Sequence, residues 1–170
     1  DEAPKQFPKP KLFPKKVMVT VWWSSVGIIH YESMKPGETI DSKSYCQQIE
    51  KMHQKLSQKV PALVNRKRPI LLHDNAKPHV SKRTVQKLRE LWYETLSHPA
   101  YSPDISSTDY HFFKHLNTFL REKIFRNDED TKTAFEAFIE SGSPDFYVDG
   151  IIKLVFRWQQ CTDCNGSYFE

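Results

Sequence analysis

The sequence predicts one α/β domain: a β-hairpin, then helix, strand, helix, strand, and a closing run of helices. Three observations carry that prediction. β-Branched and aromatic runs at Val17–Trp23 and Ile28–Tyr31 flank Ser24-Ser25-Val26-Gly27, a short glycine-containing turn. Tyr45, Ile49, Met52, Leu56 and Val60 recur at helical spacing and form one apolar stripe. Ile70-Leu71-Leu72 is a short apolar run of strand length, set after a basic turn. At 170 residues the chain has room for one ordinary domain. Its apolar fraction is only 38%, yet 11 Phe, 7 Tyr and 4 Trp supply enough bulk for a core.

Residues 1–16 carry Pro4, Pro8, Pro10, Pro14 and five lysines, and read as an extended basic arm ahead of a domain over 17–170. Pro36-Gly37 ends the hairpin unit. Asp41 or Ser42 caps the first helix, and Pro61 closes it. The strand at Ile70–Leu72 is expected to be buried and to deliver His73 and Asp74 at its C-terminal end. Val85, Leu88 and Leu91 define a short helix over Lys82–Leu91, and Tyr93–Leu96 returns as a strand. His98–Ser107, with Pro99 and Pro103, is loop. A helix starting near Asp109 turns Tyr110, Phe113, Leu116 and Leu120 inward, flanked by Phe112 and Phe119. Asn127 caps another, with Ala134, Phe135 and Phe138 inward. Ser143-Pro144 opens the last, which runs past Trp158. No repeat is present.

Composition narrows the function. No apolar run approaches the ~20 residues of a membrane span, so a membrane partner is not expected. Three cysteines argue against a disulfide scaffold and fit a reducing compartment. The opening segment is charged and proline-rich, unlike a secretory leader, and the absent initiator Met reads as a fragment. The net charge of +4 hides an uneven distribution. Lys51–Glu90 holds eleven Lys/Arg against Asp74 and Glu90, whereas Asp104–Glu140 holds eight acids against five bases. A basic middle beside an acidic stretch suits a polyanion held near metal-binding carboxylates, and equally suits solvated helix faces.

The chemistry concentrates on Asp74, which closes a strand, and Asp109, which opens a helix, with 34 residues between them. Carboxylates so placed can converge above a sheet edge, where open α/β folds put their sites. A hard ion such as Mg²⁺ takes a few carboxylates and leaves the rest of its shell to water and phosphate. Two such ions ~4 Å apart stabilise the attacking and leaving oxygens of a phosphoryl displacement, and a third carboxylate is then expected. By spacing alone, the same two residues also serve as turn caps.

The words around them add a resemblance. His73-Asp74-Asn75-Ala76-Lys77-Pro78-His79 and Ser102-Pro103-Asp104-Ile105-Ser106-Ser107-Thr108-Asp109-Tyr110-His111-Phe112-Phe113 resemble the second and third acidic motifs of mariner-family DNA transposases, at that family's spacing. Lys15–Trp23 and Trp158–Phe169 are similar to further family segments, so the resemblance spans essentially the whole chain. It implies an RNase H-like mixed sheet flanked by helices, with an Asp triad and two Mg²⁺ (or Mn²⁺) ions that nick double-stranded DNA and join it to a target. It also implies a homodimer and, through the DNA partner, a nuclear location. Asp74 and Asp109 match the second and third metal-binding, catalytic Asp.

The family's first Asp and its central first strand fall upstream of residue 1. The chain alone is therefore expected to be inactive and poorly stable, with two strands left at unpaired edges. Asp104 is expected to order its turn. Lys77 stands where the family commonly has Arg, Ala100 and Ser107 stand where it has Pro, and Trp92 where it has Gly. These departures look like drift, so a domesticated non-catalytic DNA-binding module and a decayed transposon fragment are the alternatives.

Arg66, Lys67 and Arg68 form the densest basic cluster and, with Lys77 and His79, are the candidate DNA contacts; a solvated turn accounts for the cluster equally well. Cys161-Thr162-Asp163-Cys164 has zinc-like spacing but lacks the second ligand pair a structural site takes. Trp22 and Trp23 are expected to be core and neighbouring surface of the hairpin.

Overall fold

A computed structural model describes residues 17–35 and 37–167. The arm over 1–16 and the Pro36 boundary lie outside the described residues. β1 (Val19–Ser24) and β2 (Gly27–Ser33) form the expected antiparallel hairpin. Gly27 takes φ +104° at the turn, a conformation that suits a residue without Cβ. A register shift between Trp22 and Trp23 brings Trp22 opposite His30 but Trp23 opposite Ile28. The bulge lets the two tryptophans serve different cores. Trp22 packs with Ile29 against the first helix, whereas Trp23 joins Val19, Val21, Ile28 and Tyr31 on the other face. Trp23 is thus a core residue rather than hairpin surface.

α1 (Ser42–Lys59) starts at Asp41, whose carboxylate accepts the Ser44 N–H at 2.7 Å while Ser44 Oγ accepts the Asp41 N–H at 3.0 Å. Tyr45, Ile49, Met52 and Leu56 are all buried, as the stripe predicted. α1 ends at Lys59, just before Pro61, as expected, but Pro61 also opens a second helix. It takes the first turn of α2 (Pro61–Arg66), where its missing N–H is no loss.

β3 (Ile70–Leu71) pairs in parallel with β4 (Glu94–Thr95). Leu71 packs on the first core but Ile70, on the alternate face, is 61% exposed, so the expected buried strand is covered on one side only. Among the described residues the two strand pairs are not hydrogen-bonded to each other. Between β3 and β4 lie α3 (Lys77–Val80), which the sequence reading did not foresee, and α4 (Lys82–Glu90), capped by Ser81.

α4 ends in a Schellman motif. Tyr93 N–H donates to Leu88 O at 2.9 Å and Trp92 N–H to Arg89 O at 3.0 Å, with Leu88 and Tyr93 both buried in the first core. Trp92 occupies the left-handed position at φ +61°.

After β4 the chain runs through a 3₁₀ turn (Pro103–Ile105) into a π-helical turn (Thr108–Phe113) and α5 (Lys114–Leu120). The π turn alters the phase of the apolar stripe. Phe112, expected at its flank, is fully buried, and His111 is buried beside it, while Phe113 and Leu116 are only partly covered. α6 (Asp128–Ser141) and α7 (Pro144–Asp163) are capped by Asn127 and Ser143 as expected. Phe112, Phe135, Phe138 and Tyr147 form the second core.

Gly150 admits α7 to close contact. A Cβ there would lie 2.5 Å from His111 Cδ2 and 2.7 Å from Trp23 Cη2. Helices therefore cover both faces of the hairpin, the α/β arrangement predicted. No described helix is long and apolar enough to cross a membrane.

Candidate active site

Asp74 stands in the loop just after β3. Its Oδ1 accepts the Ala76 N–H at 3.0 Å, closing an Asx turn, and meets His79 Nδ1 at 2.5 Å. Burial alone would raise the carboxyl pKa, but the Ala76 N–H and His79 outweigh it and hold Asp74 below the ordinary carboxylate range. The side chain is 62% exposed and its other oxygen is turned to no protein donor among the described residues.

Beneath Asp74 sits a packed aromatic layer. His73 and His79 stack with ring centroids 5.3 Å apart, and Tyr45 lies 4.2 Å from His79. Burial pushes His73 down to about 4, so its ring is neutral near pH 7. Burial and the charge of Asp74 push the Tyr45 phenol up, so it keeps its proton. Tyr45 O–H therefore donates to His73 Nδ1 at 2.9 Å, which leaves the His73 proton on Nε2. Tyr45, read from the sequence only as a core residue, thus also supports the loop that carries Asp74. Nothing in its spacing signals this, because His73 is 28 residues away.

Asp109 is exposed in the first turn of the π-helical segment, its N–H bonded to Ser106 O at 3.0 Å. It lines the same cleft as Asp74, a space of about 370 Å³ walled also by Asn75, His98 and Tyr101. Asn75 Nδ2 donates to His98 O at 2.5 Å and ties the loop after β3 to the loop after β4. His98 is buried, with no bonded partner at Nδ1 among the described residues. Neither Asn75 nor His98 was singled out by sequence.

α7 holds the segment that presents Asp109. Arg157 Nη1 donates to Asp104 O at 2.8 Å, and its guanidinium lies 4.4 Å over the Tyr110 ring. Trp158 Nε1 donates to Ile105 O at 3.4 Å, and Tyr110 O–H to Gly150 O at 2.7 Å. Burial pushes Tyr110 up to about 12, opposed by Arg157. Asp104 itself is buried in the 3₁₀ turn, away from the cleft lining.

The basic candidates divide. Arg68 and His79 line a second cavity of about 440 Å³, together with His73, Asn75, Arg89 and His98. It adjoins the carboxylate cleft through the shared Asn75 and His98. Arg66, Lys67 and Lys77 are exposed and line neither space. Cys161 and Cys164 are free thiols, and among the described residues no group of three or more His, Cys, Asp or Glu is placed to hold a metal ion.

The model of the family described as transposase (partial DDE domain) matches residues 1–66. The human histone-lysine N-methyltransferase SETMAR is 62% identical over 170 residues, all of this chain and 25% of that protein. The Mos1 mariner transposase of Drosophila mauritiana is 38% identical over 163 residues, 95% of this chain and 47% of that protein. The solved Mos1 catalytic domain with raltegravir and Mg superimposes at TM-score 0.86 and 39% identity, over 91% of this chain and 77% of that one. Other solved Mos1 structures that match are a catalytic domain with Mn and paired-end complexes, one with the left transposon end. The chain belongs to the mariner transposase family. It spans a quarter of SETMAR and about half of the Mos1 transposase.

Proposed function

We propose that this chain is the catalytic part of a mariner-type transposase or endonuclease. The complete protein cleaves transposon DNA and joins it to a target, with Asp74 and Asp109 as two of three metal-binding carboxylates. One observation carries the reading: the two aspartates, with 34 residues between them in sequence, line one cleft. The donor set fits hard ions. Asp109 is exposed, and Asp74 keeps one oxygen clear of protein donors. Two Mg²⁺ or Mn²⁺ ions would polarise the scissile phosphate and its attacking oxygen when bound.

The chain's own residues prepare for this. Ala76 N–H and His79 keep Asp74 ionised and fix its orientation. Arg157 and Tyr110 steady the turn that leads to Asp109. Arg66, Lys67, Arg68, Lys77 and His79 meet the phosphates of double-stranded DNA; ~6 backbone contacts in all would give a log–log salt slope near −5. The complete protein is read as a homodimer acting in the nucleus.

The test compares the complete protein with its Asp74→Ala variant on supercoiled plasmid in Mg²⁺ or Mn²⁺. Nicking should fall by about 10²–10³-fold, the scale on which one preorganised electrostatic group acts, while DNA retention in a gel shift persists. Equal nicking by both proteins overturns the reading. Binding without metal-dependent cleavage in either makes the protein a non-catalytic DNA-binding module.

A further inference from the structure

The cavity of about 440 Å³ beside the carboxylate cleft joins two kinds of wall. Val80 and Val85, on α3 and α4, present apolar surface to it and are 50 and 37% exposed. Arg68 and Arg89 add two positive charges, against Glu94 as the one carboxylate among the lining residues. Arg68 Nη2 donates to Tyr93 O at 3.4 Å, which holds the guanidinium at the wall without neutralising it. Arg89 has no acidic partner among the described residues. His98 is only 5% exposed, and its Nδ1 has no hydrogen-bond partner among the described residues. A buried ring nitrogen left unpaired is costly until a ligand reaches it.

We propose that this cavity seats one nucleotide of a DNA strand whose neighbouring phosphate lies in the carboxylate cleft. The base rests on Val80 and Val85, Arg68 and Arg89 donate to a phosphate, and a polar atom of the base or sugar pairs with His98 Nδ1. A free anion would leave the valines wet, and an apolar ligand would leave the arginines unpaired; a nucleotide uses both. A duplex is too wide for the space, so the nucleotide enters unstacked, a cost that a mixed apolar and cationic seat offsets. Continuity supplies the path: Asn75 and His98 line both spaces, and their hydrogen bond of 2.5 Å stands where the two meet.

The proposal rests on the DNA reading above but not on catalysis. The full 170-residue chain, with ¹⁵N-labelled histidine rings, is titrated separately with thymidine monophosphate, thymidine and inorganic phosphate. The His98 ring resonances should move, and the monophosphate should bind at least about tenfold tighter than either half. Arg89→Gln and Val85→Glu should each weaken it at least about tenfold, the second by setting a carboxylate against the phosphate. Arg126→Gln, the same charge change outside the cavity, should leave the affinity unchanged. Both altered wall residues are exposed, so unchanged far-UV circular dichroism separates lost binding from lost folding. A short oligothymidine strand should displace the monophosphate. Phosphate binding as tightly as the monophosphate, or His98 unmoved, overturns the nucleotide seat. Monophosphate bound but not displaced by the strand overturns the strand path. Duplex retained in a gel shift by a chain that binds no monophosphate removes the seat and leaves the DNA reading standing. A chain that binds neither overturns both for this domain.

Discussion

Trp92 offers a direct measurement of backbone strain. It occupies the C′ position of the Schellman motif that ends α4, at φ +61°, where an L side chain crowds its own carbonyl. The indole is 74% exposed, so little of it supports the core, yet its backbone N–H bonds Arg89 O and so fixes the turn into β4. Substitution by glycine removes a steric penalty of roughly 1–2 kcal/mol. Against this stands the added freedom of glycine in the unfolded chain, roughly 0.5–1 kcal/mol.

The lost indole contacts confuse a comparison with the wild type, so the informative pair is Trp92→Gly against Trp92→Ala. Both lose the ring, and only alanine keeps the penalty. Glycine should be the more stable by about 1 kcal/mol, or about 2–4 °C in melting temperature for a chain of this size. Urea unfolding followed by circular dichroism gives the difference directly. Equal midpoints, or alanine above glycine, would refute the strained turn. The turn asks for φ above zero, which suits glycine, and this chain meets it with a residue poorly suited to it.

Further outcomes follow from the packing and the titrating groups. Gly150→Ala, ordinarily favourable within a helix, should here destabilise by about 1–3 kcal/mol, because the new Cβ meets His111 and Trp23; thermal unfolding reads it. Arg157→Lys keeps the charge but loses the flat guanidinium over Tyr110, and should lower stability by about 1 kcal/mol in urea unfolding, with Tyr110→Phe smaller. His73 has a folded pKa of about 4 against an ordinary 6.5, so the unfolded chain binds more protons between those values. Stability should fall as pH drops from 6.5 toward 4 and level off below, as far as this residue is concerned. Burial depresses His30 and His111 in the same direction, so His73→Gln should flatten the melting temperature against pH without abolishing the slope.

Local patterns were the legible part of this molecule. The Tyr45-Ile49-Met52-Leu56 stripe, the caps at Asn127 and Ser143 and the hairpin around Gly27 all depend on residues within a few positions of each other, and each appears where its chemistry places it. The placement of Asp74 and Asp109 beside one cleft was legible only through the motifs around them, since by spacing alone the same two residues also serve as turn caps.

Features that depend on contact across the fold were not readable. The bulge at Trp22/Trp23 answers to two cores on opposite faces, and Trp23 reaches Thr108, 85 residues away, through its Nε1. Ile70 has the composition of a buried strand residue, but its burial is decided by what lies over it rather than by its own side chain. The Tyr45–His73 bond joins a helix to a strand end, and no periodicity announces it.

The π turn from Thr108 to Phe113 bears on which insertions and deletions this family member can tolerate. One side of that turn turns Asp109 out to the cleft, and the other drives Phe112 to complete burial. The two are locked in phase by the wide turn. Losing one residue there and returning to ordinary α winding would keep the segments before and after the turn nearly in phase, because a π turn holds one extra residue within a helical ladder. The change would fall inside the turn, where Asp109 would stand one residue nearer Phe112 and at a different angle to it. A single-residue deletion between them therefore tests the pairing of cleft and core, which the same deletion in the exposed loop over 121–126 leaves alone.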